Sequence, residues 1–180
     1  MTKEDNSNNT NLKYISTSFL ISHPSHLIAL GFGSGMSKLM PGTVGSLFGW
    51  FSFYILSITW PKLFITEVWF MIVIFSFIFG IWICDFTGKE IGVPDHGAIV
   101  WDEIVSIWLI MIFIFPSNFS FQFFAFILFR IFDITKPPPI KKIEKLFKGG
   151  FGVMFDDLIA AFYSLVTLAI FKIILLNRIQ

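Results

Sequence analysis

IGVPDHGAIVWDEIVSIW, Ile91 to Trp108, decides how this chain is read. Asp95 and Asp102 stand seven residues apart, Glu103 follows directly, and His96 lies between them. Straight afterwards begin 26 residues without a charge, Ile104 to Phe129. Carboxylates at the mouth of an apolar run are costly unless something cationic holds them. The stretch therefore reads as the core of a metal-dependent site at a membrane surface, where a divalent cation and a phosphate-bearing substrate are the groups that would offset the charge. Residues seven apart share a helical face. Gly92, Pro94 and Gly97 break a helix there, however, so Asp95 and His96 are read on a loop and Asp102 and Glu103 in the first turns of a helix.

The composition agrees with a membrane setting. Of the 180 residues, 55% are hydrophobic and only 14% charged, against about 45–50% and about 25% in soluble domains; mean hydropathy is +0.77. The net charge of +1 gives no basis for nucleic-acid binding. The single cysteine, Cys84, sits in an apolar run and matches no paired-cysteine metal pattern.

Outward from the central stretch, four more apolar segments can be marked. Val44–Trp60 and Val68–Cys84 are each 17 uncharged residues, close to the ~20 that a bilayer span needs. Pro116-Ser117-Asn118 interrupts the 104–129 run as a tight turn between two arms that are short for full spans. Leu158–Phe171 is the last segment, and Phe19–Phe32, with His23, Pro24 and His26, suits an interfacial helix. The expected fold is an all-α integral membrane protein. It is a small polytopic bundle of four to five membrane helices with an N-terminal interfacial helix and cytoplasmic polar loops. Residues 1–18 read as a disordered polar tail and 19–180 as a single membrane-embedded domain.

Alternating the sides of these spans puts ten of the thirteen basic residues on one face, which by the positive-inside bias is the cytoplasmic one. Eleven of the twelve acids fall on the same face, all but Glu67. That convergence supports a cytoplasmic site.

Four constellations meet there. Asp95, His96, Asp102 and Glu103 offer oxygen ligands of the kind a hard cation such as Mg²⁺ takes. Asp156-Asp157 follow the loop KGGFG and stand at the start of the last helix, where they serve either as ligands or only as acidic residues at the positive end of the helix dipole. Arg130 and Lys136, around Asp133 and before three prolines, could grip a phosphate or simply belong to the charge bias. Lys141, Lys142 and Lys145 are read as charge bias. The Gly31–Ser46 loop, GFGSGMSKLMPGTVGS, has glycines and small hydroxyls that could cradle an anion; close helix packing would explain Gly42, Gly45 and Gly49 as well. No cysteine is followed five residues on by an arginine, no DxDx[TV] sequence occurs, and none of the three histidines lies in an arginine-rich setting. Elimination leaves a water activated by metal and carboxylates. The other class weighed is an ion-coupled transporter using the acidic cluster. It fits poorly, because the acids fall at the ends of apolar runs and no internal repeat is visible.

ISHPSHLIALGFGSG, PGTVGSL, GVPDHGAIVWDE, FRIFDITKPPPI and KGGFGVMFDD, in this order and spacing, resemble phosphatidylglycerophosphatase A over roughly Ile21 to Tyr163. The resemblance implies a bacterial inner-membrane enzyme, Mg²⁺-dependent, that hydrolyses phosphatidylglycerophosphate to phosphatidylglycerol and inorganic phosphate. It also implies that Asp95, Asp102, Glu103, Asp133, Asp156 and Asp157 belong to the site, with Gly42, Thr43 and Ser46 of the loop. On that footing Asp102, Glu103, Asp133, Asp156 and Asp157 are the expected metal ligands. Asp95 would orient or deprotonate the water, and His96 would protonate the leaving oxygen or orient Asp95. Gly42, Thr43, Ser46, Arg130 and Lys136 would bind the substrate phosphate. Asp85 lies outside the motif blocks and ranks below these residues.

Overall fold

The computed structural model describes residues 15–63, 65–138, 140–141 and 146–179. The polar stretch 1–14, Lys142 and Lys145 lie outside them. The chain is a helical bundle, with no strand among the described residues.

Two short helices, α1 (Thr17–Ser22) and α2 (Pro24–Ala29), replace the single interfacial helix expected. They break at His23, which is extended at φ −148° and ψ 140° because a residue before proline is pushed out of the helical region. α1 starts two residues inside the segment read as tail, capped by Ser16, whose Oγ accepts from the Phe19 N–H at 3.2 Å. His26 stacks between Phe19 and Phe86, with ring centroids 4.2 and 5.4 Å away, and its Nδ1 lies 3.0 Å from Thr87 Oγ1. These contacts fasten the short helices to the end of the long helix that carries Phe86 and Thr87.

Among the described residues, three helices are long and apolar enough to cross a membrane: α3 (Pro41–Thr59), α4 (Thr66–Ile91) and α7 (Gly150–Ile179), the last over Gly150–Ile174. Their outer faces carry exposed Phe51, Ile58, Met71, Phe75, Trp82 and Phe162, surface of the kind a bilayer covers favourably. α4 runs past Asp85, where the uncharged segment ends, because Lys89 pairs with Asp85 at 2.6 Å one turn on. It stops at Gly92, whose φ of +83° suits a glycine C-cap. α5 (Trp101–Ile114) and α6 (Phe119–Thr135) form the expected hairpin, with a cis Phe115–Pro116 bond in its turn and the Asn118 side chain capping α6. At 1.5 Å per residue they are about 21 and 25 Å long, short of the ~30 Å hydrocarbon thickness.

α5 is the central rod, buried along most of its length and packed by α3, α4, α6 and α7. Gly45 and Gly49 let α3 approach it: a Cβ at Gly45 would sit 2.6 Å from Val100 and one at Gly49 3.0 Å from the Ile104 backbone. Polar groups inside the apolar layer find partners, as lipid requires. Trp50 Nε1 donates to Gln122 Oε1 at 2.8 Å, Gln122 donates to the Ser117 carbonyl, and Trp108 Nε1 donates to the Gly49 carbonyl at 3.0 Å. This topology brings the start of α3, the start of α5, the end of α6 and the early turns of α7 together at one end of the bundle.

Candidate active site

Each of those four helix segments contributes polar side chains to one cluster. α5 supplies Asp102 and Glu103 from its first turn, α6 supplies Arg130, Asp133 and, just past its end, Lys136, and α7 supplies Asp156 and Asp157. Oxygens of Asp102, Glu103 and Asp157 lie within 4.8 Å of one another. Asp102, Glu103, Asp156 and Asp157 are all buried, at 7, 9, 6 and 3% exposure.

Two cations of the described residues stand in the cluster, and both are engaged. Arg130 Nη1 lies 2.7 Å from Asp133 Oδ2, 3.9 Å from Glu103 Oε1 and 3.2 Å from Ser46 Oγ. Lys136 Nζ lies 2.5 Å from Asp156 Oδ2. Among the described residues, five carboxylates against Arg130 and Lys136 leave three formal negative charges in a buried site. The positive end of the α5 dipole offsets about 0.3–1 kcal/mol per acid, whereas burying an ion costs several kcal/mol. The dipole is too weak to account for the cluster. Asp102 Oδ1, Glu103 Oε2, Asp156 Oδ1 and Asp157 Oδ2 are buried without a hydrogen-bond partner among the described residues. Hard oxygen donors, converging and unpartnered, fit a divalent cation.

The start of α3 faces this cluster. Pro41 opens the helix without an N–H, and no side chain caps the N–H groups that follow, so Gly42 and Thr43 present the first free donors at the positive helix end. Gly42 touches the site directly: a Cβ there would run into Glu103 Oε1 and lie 3.0 Å from Arg130 Nη2. Thr43 Oγ1 is buried without a partner among the described residues. Ser46 Oγ, fully buried, donates to the Gly42 carbonyl at 2.8 Å and receives the bond from Arg130. Its hydroxyl holds the guanidinium, so Ser46 meets the site through Arg130. Gly42, Thr43 and Ser46 are helical, not loop, residues.

Asp95 and His96 occupy the loop into α5. Asp95 is exposed and outside the close carboxylate set. His96 Nδ1 accepts the Ala98 N–H at 3.2 Å, which places the proton of the neutral ring on Nε2.

Asp156 and Asp157 differ from their reading as first-turn acids. α7 begins at Gly150, and its first turn holds no acid; the pair lies in the second turn and faces the cluster. The early start rests on Asp85 of α4, whose Oδ1 accepts the Gly150 N–H at 3.3 Å. Asp85, ranked low from sequence, thus caps α7 from a neighbouring helix. Its signal was the Asp85–Lys89 spacing opposite the Gly149-Gly150 pair.

The sequence matches the family model described as PgpA, phosphatidylglycerophosphatase A, over residues 27–172. It is 36% identical over 145 residues to the phosphatidylglycerophosphatase A of Escherichia coli (strain K12), covering 80% of this chain and 81% of that protein. It is 39% identical over 144 residues to the protein of the same name from Haemophilus influenzae, covering 80% and 86%. A protein from Bacteroides thetaiotaomicron, provisionally named a phosphatidylinositol-3-phosphatase, is 39% identical over 150 residues, covering 80% and 91%. No solved structure matches the chain.

Proposed function

The chain belongs to the phosphatidylglycerophosphatase A family, and we propose on that footing that it hydrolyses the terminal phosphomonoester of phosphatidylglycerophosphate, with Mg²⁺ held by Asp102, Glu103 and Asp157. The products are phosphatidylglycerol and inorganic phosphate, which makes the reaction a step of phospholipid biosynthesis. The observation that carries this reading is the convergence of three carboxylates from α5 and α7, each with a buried, unpartnered oxygen. Bound there, Mg²⁺ would offset phosphate charge and lower the pKa of a water.

The chain's own groups supply the rest. Arg130 and the Gly42 and Thr43 N–H groups bind the phosphoryl oxygens and stabilise the charge that builds there. Asp133 and Ser46 hold Arg130 in its orientation, and Asp156 does the same for Lys136. Asp95, on the loop into α5, orients the attacking water and takes its proton. The water oxygen bonds to phosphorus, the bond from phosphorus to the glycerol oxygen breaks, His96 Nε2–H protonates that oxygen, and the proton that Asp95 took from the water restores the neutral His96 ring. The acids lie at one end of the apolar helices, a depth suited to a lipid headgroup. The lysine and arginine bias supports the cytoplasmic face of a bacterial inner membrane.

The test is phosphate release by the purified protein in detergent micelles from phosphatidylglycerophosphate and, separately, from phosphatidylinositol 3-phosphate, with EDTA and with Mg²⁺ added back. Release from the first lipid, stopped by EDTA and restored by Mg²⁺, is expected. Faster release from the inositol lipid would overturn the substrate, and release that EDTA leaves untouched would overturn the metal.

A further inference from the structure

A second binding feature lies away from the acids. Between α7, the turn of the α5–α6 hairpin and Phe70 of α4 is a cavity of about 1070 Å³. Phe113, Leu158, Phe162, Leu165 and Ala169 are among its apolar walls. Its polar lining is confined to Ser117 and Asn118 in the hairpin turn and Lys172 on α7. Those three belong to the end of the bundle opposite Asp156 and Asp157. From Leu158 to Lys172 the groove follows α7 for about 21 Å, at 1.5 Å per residue, more than the ~15 Å hydrocarbon depth of one leaflet.

We propose that this groove binds an anionic phospholipid of the leaflet opposite the acidic site, its headgroup at Lys172, Asn118 and Ser117 and its acyl chains along α7 toward Leu158. Charge and hydrogen bonding select this occupant. Lys172 is exposed and has no carboxylate partner among the described residues. Asn118 spends its Oδ1 on the Phe121 N–H at 2.8 Å, which leaves its amide N–H groups as donors. Ser117 Oγ is buried without a partner among the described residues. Among the described residues, the same end of the bundle carries Lys62 and Lys172 against the acid Glu67, one turn before Phe70. An anionic headgroup satisfies all three polar side chains, whereas a second copy of this chain would bring another Lys172 to the same place.

Native mass spectrometry of the full chain in mild detergent tests this with dioleoyl phosphatidylserine and dioleoyl phosphatidylcholine as probes. Wild type is expected to retain the anionic lipid at several-fold lower concentration than the zwitterionic one. Lys172→Gln should remove that preference, roughly a fivefold loss for one cation at a membrane surface. Ala169→Phe, which fills the groove, should weaken both lipids, while Asp102→Asn should change neither. An unchanged preference in Lys172→Gln would overturn the proposal. So would a protein that is dimeric as wild type and monomeric as Ala169→Phe, because the groove would then be covered by a second copy.

Discussion

Arg130 on α6 donates to the hydroxyl of Ser46 on α3 at 3.2 Å, so two residues 84 apart in sequence bridge the two helices. The hydroxyl is spoken for on both sides, because it also donates to the Gly42 carbonyl. Ser46→Ala removes one bond to a charged group, which is worth about 1.5–3 kcal/mol. It should lower kcat/KM by roughly tenfold to a hundredfold. Arg130→Lys keeps the charge but replaces the planar guanidinium, whose Nη1 meets Asp133, Glu103 and Ser46, with a point charge on a stem of different reach, and its loss should be the larger. Steady-state phosphate release by the two variants checks the order.

Gly42 is held to hydrogen by its neighbours. A methyl group there meets Glu103 Oε1 and the Arg130 guanidinium, both of which would have to move. Displacements of about 1 Å at a reacting centre cost roughly 10²-fold. Gly42→Ala should therefore lose about that much activity while remaining folded in the membrane. The corresponding change at Gly97, where a Cβ meets nothing within 4 Å, should be nearly neutral. Comparing the two variants separates crowding from a general glycine effect.

Asp85 caps α7 at Gly150 and so sets the position of Asp157 two turns on. Asp85→Asn keeps an accepting oxygen and should stay close to wild type. Asp85→Ala should raise the Mg²⁺ concentration needed for half-maximal activity several-fold, with a smaller change in the maximal rate. A role confined to stability would lower the amount of active protein without moving that concentration.

A site of this kind holds its buried acids for chemistry at a cost in stability. Asp102→Asn and Asp157→Asn each replace a buried acid crowded by other acids with a neutral amide, so the metal-free protein should unfold at a temperature higher by a few degrees, at about 2–4 °C per kcal/mol. Activity should be abolished in both. Thermal unfolding with EDTA, read beside turnover, checks the two effects together.

Much of this was legible in the sequence, and the parts that were not have physical reasons. Helix existence follows from apolar runs bounded by Pro, Gly and charge, so α3, α4 and the α5–α6 hairpin could be marked before any coordinates. Helix ends were less visible, because they depend on contacts made in space. α4 passes Asp85 on an Asp85–Lys89 pair, and α7 starts at Gly150 on a cap from another helix. The same blindness made Asp156-Asp157 look like first-turn acids, although their burial against α5 and α6 is tertiary. The site residues could be gathered onto one face by charge counting alone. That Ser46 acts through Arg130, and that Asp95 lies outside the close carboxylate set, required distances.

Divalent-metal binding measures the central claim most directly, and Mn²⁺ can report it by electron paramagnetic resonance on the detergent-purified chain. Wild type should bind Mn²⁺, Mg²⁺ should displace it, and the triple variant Asp102→Asn, Glu103→Gln, Asp157→Asn should bind neither while keeping its helical content. Wild-type Mn²⁺ affinity in the triple variant would contradict a metal site built from these three carboxylates.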